Sequence, residues 1–258
     1  MLMSCLESQL KNLESQGFLL VKNALKQEVV IRWREILYSM YEQGKYEIHN
    51  SVGNVAFEKL LALQPELSRD LIGHASAAPF LKFFLGKQCQ LRSLRAHVNP
   101  QSYLQEWHMD FYDYYRQKEK SQGTNPLTGL CFNTTFYLTD NPPERGRLRF
   151  LKDFVSVSVP DDLLPHVGYT NDRNNPFQVW CDGQAHVDLH PHAGDLVIFY
   201  SHVPHQGAKL GDDPPGNNRA NIVLHYQQNP MHPEIHFVSD PQFTLDNLGY
   251  AGTFPFSS

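Results

Sequence analysis

From Trp107 to Tyr115 the chain reads WHMDFYDYY, with His108 and Asp110 two residues apart among aromatic rings. Imidazole and carboxylate are both metal donors, and rings keep water away from them. On an extended strand, residues i and i+2 point to one face, with Cα atoms about 6.5–7 Å apart. Side chains of that reach can converge on one ion. A third donor has to come from elsewhere, and GDLVIFYSHVPHQG (Gly194–Gly207) supplies a candidate. His205 follows the apolar run Leu196–Tyr200 and precedes Gln206-Gly207, which reads as a turn.

Two imidazoles and one carboxylate on one side of a metal make the facial triad of non-haem Fe(II) oxygenases. Three protein ligands hold the ion and three positions stay open. Two of these accept a chelating cosubstrate and one accepts O2. Arg219 fits the same scheme. It lies fourteen positions after His205 (219 − 205) and opens the strand-like run ANIVLHY. Its planar fork suits the far carboxylate of 2-oxoglutarate, bound bidentately. Each residue also has an ordinary reading. With 13 histidines in the chain, an HxD match alone carries little weight. A buried arginine can equally serve a structural ion pair. The order of the motifs is more informative: HxD, then a histidine after GDLVIF, then an arginine on the next strand. A structural β-sandwich remains the competing reading.

The elements that must position these residues fall into two textures. Residues 4–16 read as a helix capped by Ser4 and stopped by Gly17, and FLLVK (Phe18–Lys22) as a strand. Residues 26–43 carry Val29, Val30, Trp33, Ile36, Leu37 and Met40 at helical spacing, with Gly44 beyond. Shorter helices are expected over 55–63, 66–73 and 77–85. After Gly86 come short strand-like runs at 89–98, 130–140, 147–151, 184–190, 195–200 and 220–226, punctuated by Gly and Pro turns. The stretches 116–129 and 161–183 read as irregular loops, expected to flank the mouth of the site as lids or rim loops, with exposed insertions of no role as the competing reading. The expected architecture is mainly β with flanking helices: one domain over 1–258, with a helical layer at 1–86 and a β core at 87–240.

Composition narrows the partners. The net charge is −5 with no long run of one sign, so the basic stripe of a nucleic-acid binder is missing. No stretch reaches the length of a membrane span, and the first residues lack the apolar core of a secretion signal. Cys5, Cys89, Cys131 and Cys181 are far apart and form no CxxC pair. A thiolate zinc site is therefore not expected, and reduced thiols in a cytoplasm are. The expected partner is a small molecule rather than nucleic acid, membrane or an obligate protein.

These segments together resemble the phytanoyl-CoA dioxygenase family of Fe(II)/2-oxoglutarate oxygenases. GFLLVKNALKQEVVIRWREIL is similar to that family's opening strand and helix, EWHMDF to its iron motif, and TTFYLTDNPPERGRLRFL to its strand–turn–strand. GDLVIFYSHVPHQG resembles its segment with the distal histidine, which usually lies about ten residues after the Asp of the Gly-Asp pair. Asp195 plus ten is His205, which separates it from His202. The resemblance implies a double-stranded β-helix (jelly roll, cupin-like). It implies iron on His108, Asp110 and His205, and 2-oxoglutarate held by Arg219. Thr134, and more weakly Arg95, are candidate further contacts, although strand residues of either type are more often structural. It also implies O2 as oxidant, with ascorbate as a possible reductant, and conversion of 2-oxoglutarate to succinate and CO2. Trp107, Phe111 and Tyr112 would line the substrate. Two departures stand out: His205-Gln206-Gly207 lacks the hydroxyl residue that many members carry there, and Thr134 replaces a common Trp. Asp110 is present, where halogenating relatives have a small residue, so hydroxylation or a related oxidation is favoured. Desaturation, cyclisation and epoxidation use the same core. A jelly-roll binding protein without catalysis is the remaining alternative.

Overall fold

A computed structural model describes residues 2–49, 54–57, 60–85, 90–110, 131–154, 159–167, 172–211 and 218–227. The first elements are α1 (Leu2–Gln16), β1 (Phe18–Val21) and α2 (Gln27–Glu42). Gly17 separates α1 from β1. Its φ of 80° is easy only for glycine, and a Cβ there would lie 2.6 Å from Val203 Cγ2. Lys26 gives α2 no side-chain cap, which forgoes about 1 kcal/mol. Burial of Val30, Trp33, Leu37 and Met40 outweighs this, at about 1.5–3 kcal/mol each. The helix is therefore made by its buried face.

Next come β2 (Glu47–His49), β3 (Asn54–Phe57), α3 (Leu60–Leu63), α4 (Pro65–Leu71) and α5 (Ala78–Leu85). The sequence predicts helix over 55–63, but its first part is strand. Ala56 pairs with His97 and Phe57 with Ala96. Val55, Ala56 and Phe57 are all buried, and so short an apolar run has no period that distinguishes helix from strand.

The rest is a jelly roll. Its strands are β4 (Gln90–Asn99), β5 (Tyr103–His108), β6 (Cys131–Tyr137), β7 (Gly146–Leu151), β8 (His186–Leu189), β9 (Leu196–Tyr200), β10 (His205–Lys209) and β11 (Arg219–Gln227). One sheet runs β1-β9-β6-β11-β4-β3-β2 and the other β5-β10-β7-β8. The chain passes between the two sheets repeatedly, and all the pairings are antiparallel. The strand expected at 220–226 is longer by a residue at each end, and residues 228–240 of the expected core lie outside the described residues.

Alternation gives the larger sheet two faces. Leu94, Ala96, Val98, Phe136, Ile198, Ile222 and Leu224 join Trp33 and Leu37 in the main core. The opposite face carries Arg95, His97, Asn133, Thr135, Tyr137, Arg219, Asn221 and His225, in register across β4, β6 and β11. This polar face looks toward the smaller sheet. A second small core forms around Trp107, Met109, Leu151, Phe177 and Cys181. Phe177 and Cys181 belong to α6 (Pro176–Asp182), inside the stretch 161–183 that the sequence suggests is irregular. Asn175 caps α6, its side chain accepting from Phe177 N at 2.9 Å, and Pro176 opens it. Among the described residues no helix is long and apolar enough to cross a membrane.

Candidate metal centre

His108 ends β5 and His205 opens β10, and the two residues face each other across the antiparallel pair. His205 thus begins a strand rather than preceding a turn, and Gly207 is paired on both sides, with Gln105 and Leu148. Asp110 lies beyond the end of β5, so the convergence is not that of two residues on one strand. Its amide donates to Ser201 O at 2.7 Å, which ties it to the connection between β9 and β10. One donor atom from each of His108, Asp110 and His205 lies within 4.8 Å of the others. His108 Nε2 is 3.8 Å from Asp110 Oδ1, and His205 Nε2 is 3.6 Å from Asp110 Oδ2. All three residues are buried.

The second ring nitrogens fix the tautomers. His108 Nδ1 donates to Glu106 O at 2.8 Å and His205 Nδ1 to Val203 O at 2.9 Å, since a carbonyl can only accept. Each Nε2 lone pair is left facing the centre, the form a metal needs. The Gln105 amide lies 3.2 Å from His108 Nε2. Burial pushes the His108 pKa down to about 3; positive charge on His205 adds to this and Asp110 opposes it. Neutral imidazole is the ligating species. Asp110 Oδ2 accepts from Asn133 Nδ2 at 2.5 Å, and Asn133 Oδ1 accepts from Ser201 Oγ at 2.8 Å. His225 Nε2 is 3.9 Å from Asp110 Oδ2, and its Nδ1 is 2.5 Å from Ser93 Oγ. Asn133, Ser201 and His225 were not singled out from the sequence. The available signal was a polar side chain inside an otherwise apolar strand, as in CFNTTFY and ANIVLHY.

Arg219 shares the polar face and is buried. Its Nη1 donates to Ala208 O at 2.7 Å, and its guanidinium lies 5.6 Å from the Tyr103 ring centre and 5.9 Å from that of Tyr137. Burial pushes the Tyr137 hydroxyl up to about 12, against the pull of Arg219. Ala208 lies three positions along β10 from His205, a run of about 10 Å. Gly146 makes the approach possible, since a Cβ there would sit 2.4 Å from Ala208 O and 3.2 Å from Arg219 Nη1. Arg95 also belongs to this face, opposite Val223, and its charge is among those lowering the His108 pKa.

Two expected contacts lie elsewhere. Thr134 alternates with Asn133 and so faces the helical layer; its hydroxyl donates to Leu224 O at 3.3 Å. Thr135 is the neighbour that shares the polar face. Trp107 likewise points away from the centre, fully buried in the small core, with Nε1 donating to Asp182 Oδ1 at 2.7 Å. It cannot line a substrate there. Phe111, Tyr112 and the stretch 116–129 lie outside the described residues. His202 packs against Tyr200 and Phe154 at ring-centre distances of 5.4 and 6.0 Å and is not part of the triad. Burial pushes its pKa down to about 4.

No protein-family model matches the chain, and no curated protein matches it. Solved structures do. SnoN, a non-heme α-ketoglutarate-dependent epimerase from nogalamycin biosynthesis, superposes with a TM-score of 0.66 at 16% identity, over 88% of this chain and 84% of SnoN. EctD from S. alaskensis with bound Fe gives 0.64 at 17% identity, over 93% and 83%. HygX from Streptomyces hygroscopicus with nickel and 2-oxoglutarate gives 0.61 at 14% identity, over 86% and 87%. The chain has their jelly-roll fold.

Proposed function

We propose that this protein is a non-haem Fe(II)/2-oxoglutarate-dependent oxygenase acting on a small molecule. The observation that carries the proposal is the buried His108–Asp110–His205 cluster, with Arg219 of β11 donating to Ala208 O, three positions along β10 from His205. The donor set fits iron: two neutral imidazoles with lone pairs turned inward and one carboxylate, with no thiolate. Iron bound there supplies the redox chemistry with O2 that none of the side chains can perform. Arg219 holds the distal carboxylate of 2-oxoglutarate through charge-assisted hydrogen bonds, and Arg95 adds positive charge on the same wall. Asn133 orients Asp110, and the carbonyls of Glu106 and Val203 orient the imidazoles. Similar folds carrying Fe in EctD and nickel with 2-oxoglutarate in HygX support this reading. So does the resemblance to the phytanoyl-CoA dioxygenase family. Buried Cys131 and Cys181, neither of them in a disulfide, suit a reducing cytoplasm.

Hydroxylation is the reaction we favour; Asp110 at the carboxylate position argues against halogenation. Cyclisation or a related oxidation is the second reading, since SnoK, a carbocyclase, has a similar fold with a TM-score of 0.62 at 18% identity. The test compares Fe(II) stoichiometry and succinate formation in wild type and His108→Ala. One iron per chain and 2-oxoglutarate turnover are expected in the wild type only. Equal, negligible binding in both would leave a jelly-roll binding protein without catalysis. Product mass then separates the reactions: a gain of one oxygen for hydroxylation or epoxidation, a loss of two hydrogens for desaturation or ring closure.

A further inference from the structure

Beyond Arg219, at the end of the jelly roll away from His108, lies a polar cavity of about 190 Å³. Arg34 of α2, Arg145, Lys209 and Arg219 line it with Asn141, and the acid among its lining residues is Asp140. Asp140 is already engaged, accepting from Ala193 N at 2.9 Å and lying 3.4 Å from His192 Nδ1. Positive charge therefore dominates the wall. Asn141 is the more telling group. It is only 1% exposed, and neither its amide oxygen nor its amide nitrogen has a hydrogen-bond partner. Buried amides are ordinarily satisfied, so an unmade pair at a cavity wall marks a place for a ligand. Its backbone is held by donation to Pro191 O at 2.8 Å. The Cβ position of Gly146 lies 2.7 Å from Asn141 Oδ1 and 3.2 Å from Arg219 Nη1, so amide and guanidinium converge on one spot.

We propose that this cavity is a site for a small oxyanion, namely phosphate or the phosphate group of a monoester. Arg34 and Arg145 supply charge from the open side, and the Asn141 amide donates from the buried side. Arg219 forms the partition between this cavity and the polar face that leads to His108. Resting on the proposed function, an anion here draws on the same guanidinium as the distal carboxylate of 2-oxoglutarate. Two anions sharing one cation repel each other. Occupancy therefore weakens cosubstrate binding, and by reciprocity the cosubstrate weakens phosphate binding.

The experiment is calorimetric titration of the metal-free full chain with inorganic phosphate, and separately with glycerol 3-phosphate, at low ionic strength. Wild type should show saturable binding at one site. Arg34→Gln/Arg145→Gln, which removes two partly exposed side chains, should keep its melting temperature and bind phosphate about tenfold or more weakly. His108→Ala should bind phosphate as wild type does. Tighter or equal binding of the monoester assigns the site to a larger phosphorylated molecule, and weaker binding assigns it to the free ion. The absence of saturable binding in wild type, or equal affinity in the double variant, overturns the site. Loss of 2-oxoglutarate binding with phosphate binding intact would instead overturn the proposed function alone.

Discussion

A metal centre depends on the groups that aim its ligands as much as on the ligands. Asp110 sits past the end of β5, where the sheet no longer constrains it, and Asn133 and the Ser201 carbonyl take over. Removing a partner of a ligating carboxylate typically costs 10–100-fold in metal affinity. Asn133→Ala should therefore bind Fe(II) about 10–100-fold more weakly, while Thr134→Ala, one position along and facing the helices, should leave it unchanged. Metal titration of the two variants decides this; equal losses would mean that β6 acts only as a scaffold. Arg219→Ala should weaken 2-oxoglutarate by about ten- to a hundredfold, the loss of a charge-assisted pair of roughly 1.5–3 kcal/mol. The clustering of His108, Asp110 and His205 is legible because HxD and GDLVIF…H are local strings. Asn133 and His225 were not, because a polar residue inside a strand reveals neither its face nor its partner across the sheet.

At the next scale, β5 is the edge strand of the smaller sheet. Gln178 of α6 closes that edge with its side chain: Trp107 N donates to Gln178 Oε1 at 2.8 Å, and Gln178 Nε2 donates to Trp107 O at 2.6 Å. The amide mimics one rung of a neighbouring strand, next to His108. Breaking it leaves two buried backbone groups unpaired, at about 1–3 kcal/mol. Gln178→Ala should therefore lower stability by that order and also weaken Fe(II) binding. Unfolding in urea measured beside metal titration separates the two effects, and a stability loss with unchanged metal affinity would show that α6 supports the fold alone. Legibility varied among elements for physical reasons. α2 announces itself by a long apolar period. HQGAK (β10) has no alternation and contains a glycine, so it reads as a turn until both flanking strands are seen. α6 did carry a signal, Asn175-Pro176 before an apolar run and Gly183 after it, but the surrounding Asn, Asp and Gly residues obscured it.

For the whole molecule, the same burial that readies the site sets its acid limit. His108 is pushed from an ordinary 6.5 to about 3 and His202 to about 4, both chiefly by burial. Below pH 6.5 the unfolded chain gains protons on these rings and the folded chain does not. Stability is therefore fully present above about 6.5 and declines as the pH falls toward the folded values, because the unfolded state binds more protons. Bound iron protects the His108 contribution, since a proton and a metal compete for the same nitrogen, but it does not protect His202. Asp188, lowered by its bidentate bond to Arg149, acts in the same direction but only near and below its ordinary 3.8. Between pH 6.5 and 4 the two histidines should therefore give a separable acid limb. Urea unfolding of chelated protein across that range should show a steady loss, and His202→Phe should make it shallower. An identical slope in the variant would mean that His202 is open to water in solution and that its packing on Tyr200 and Phe154 does not persist.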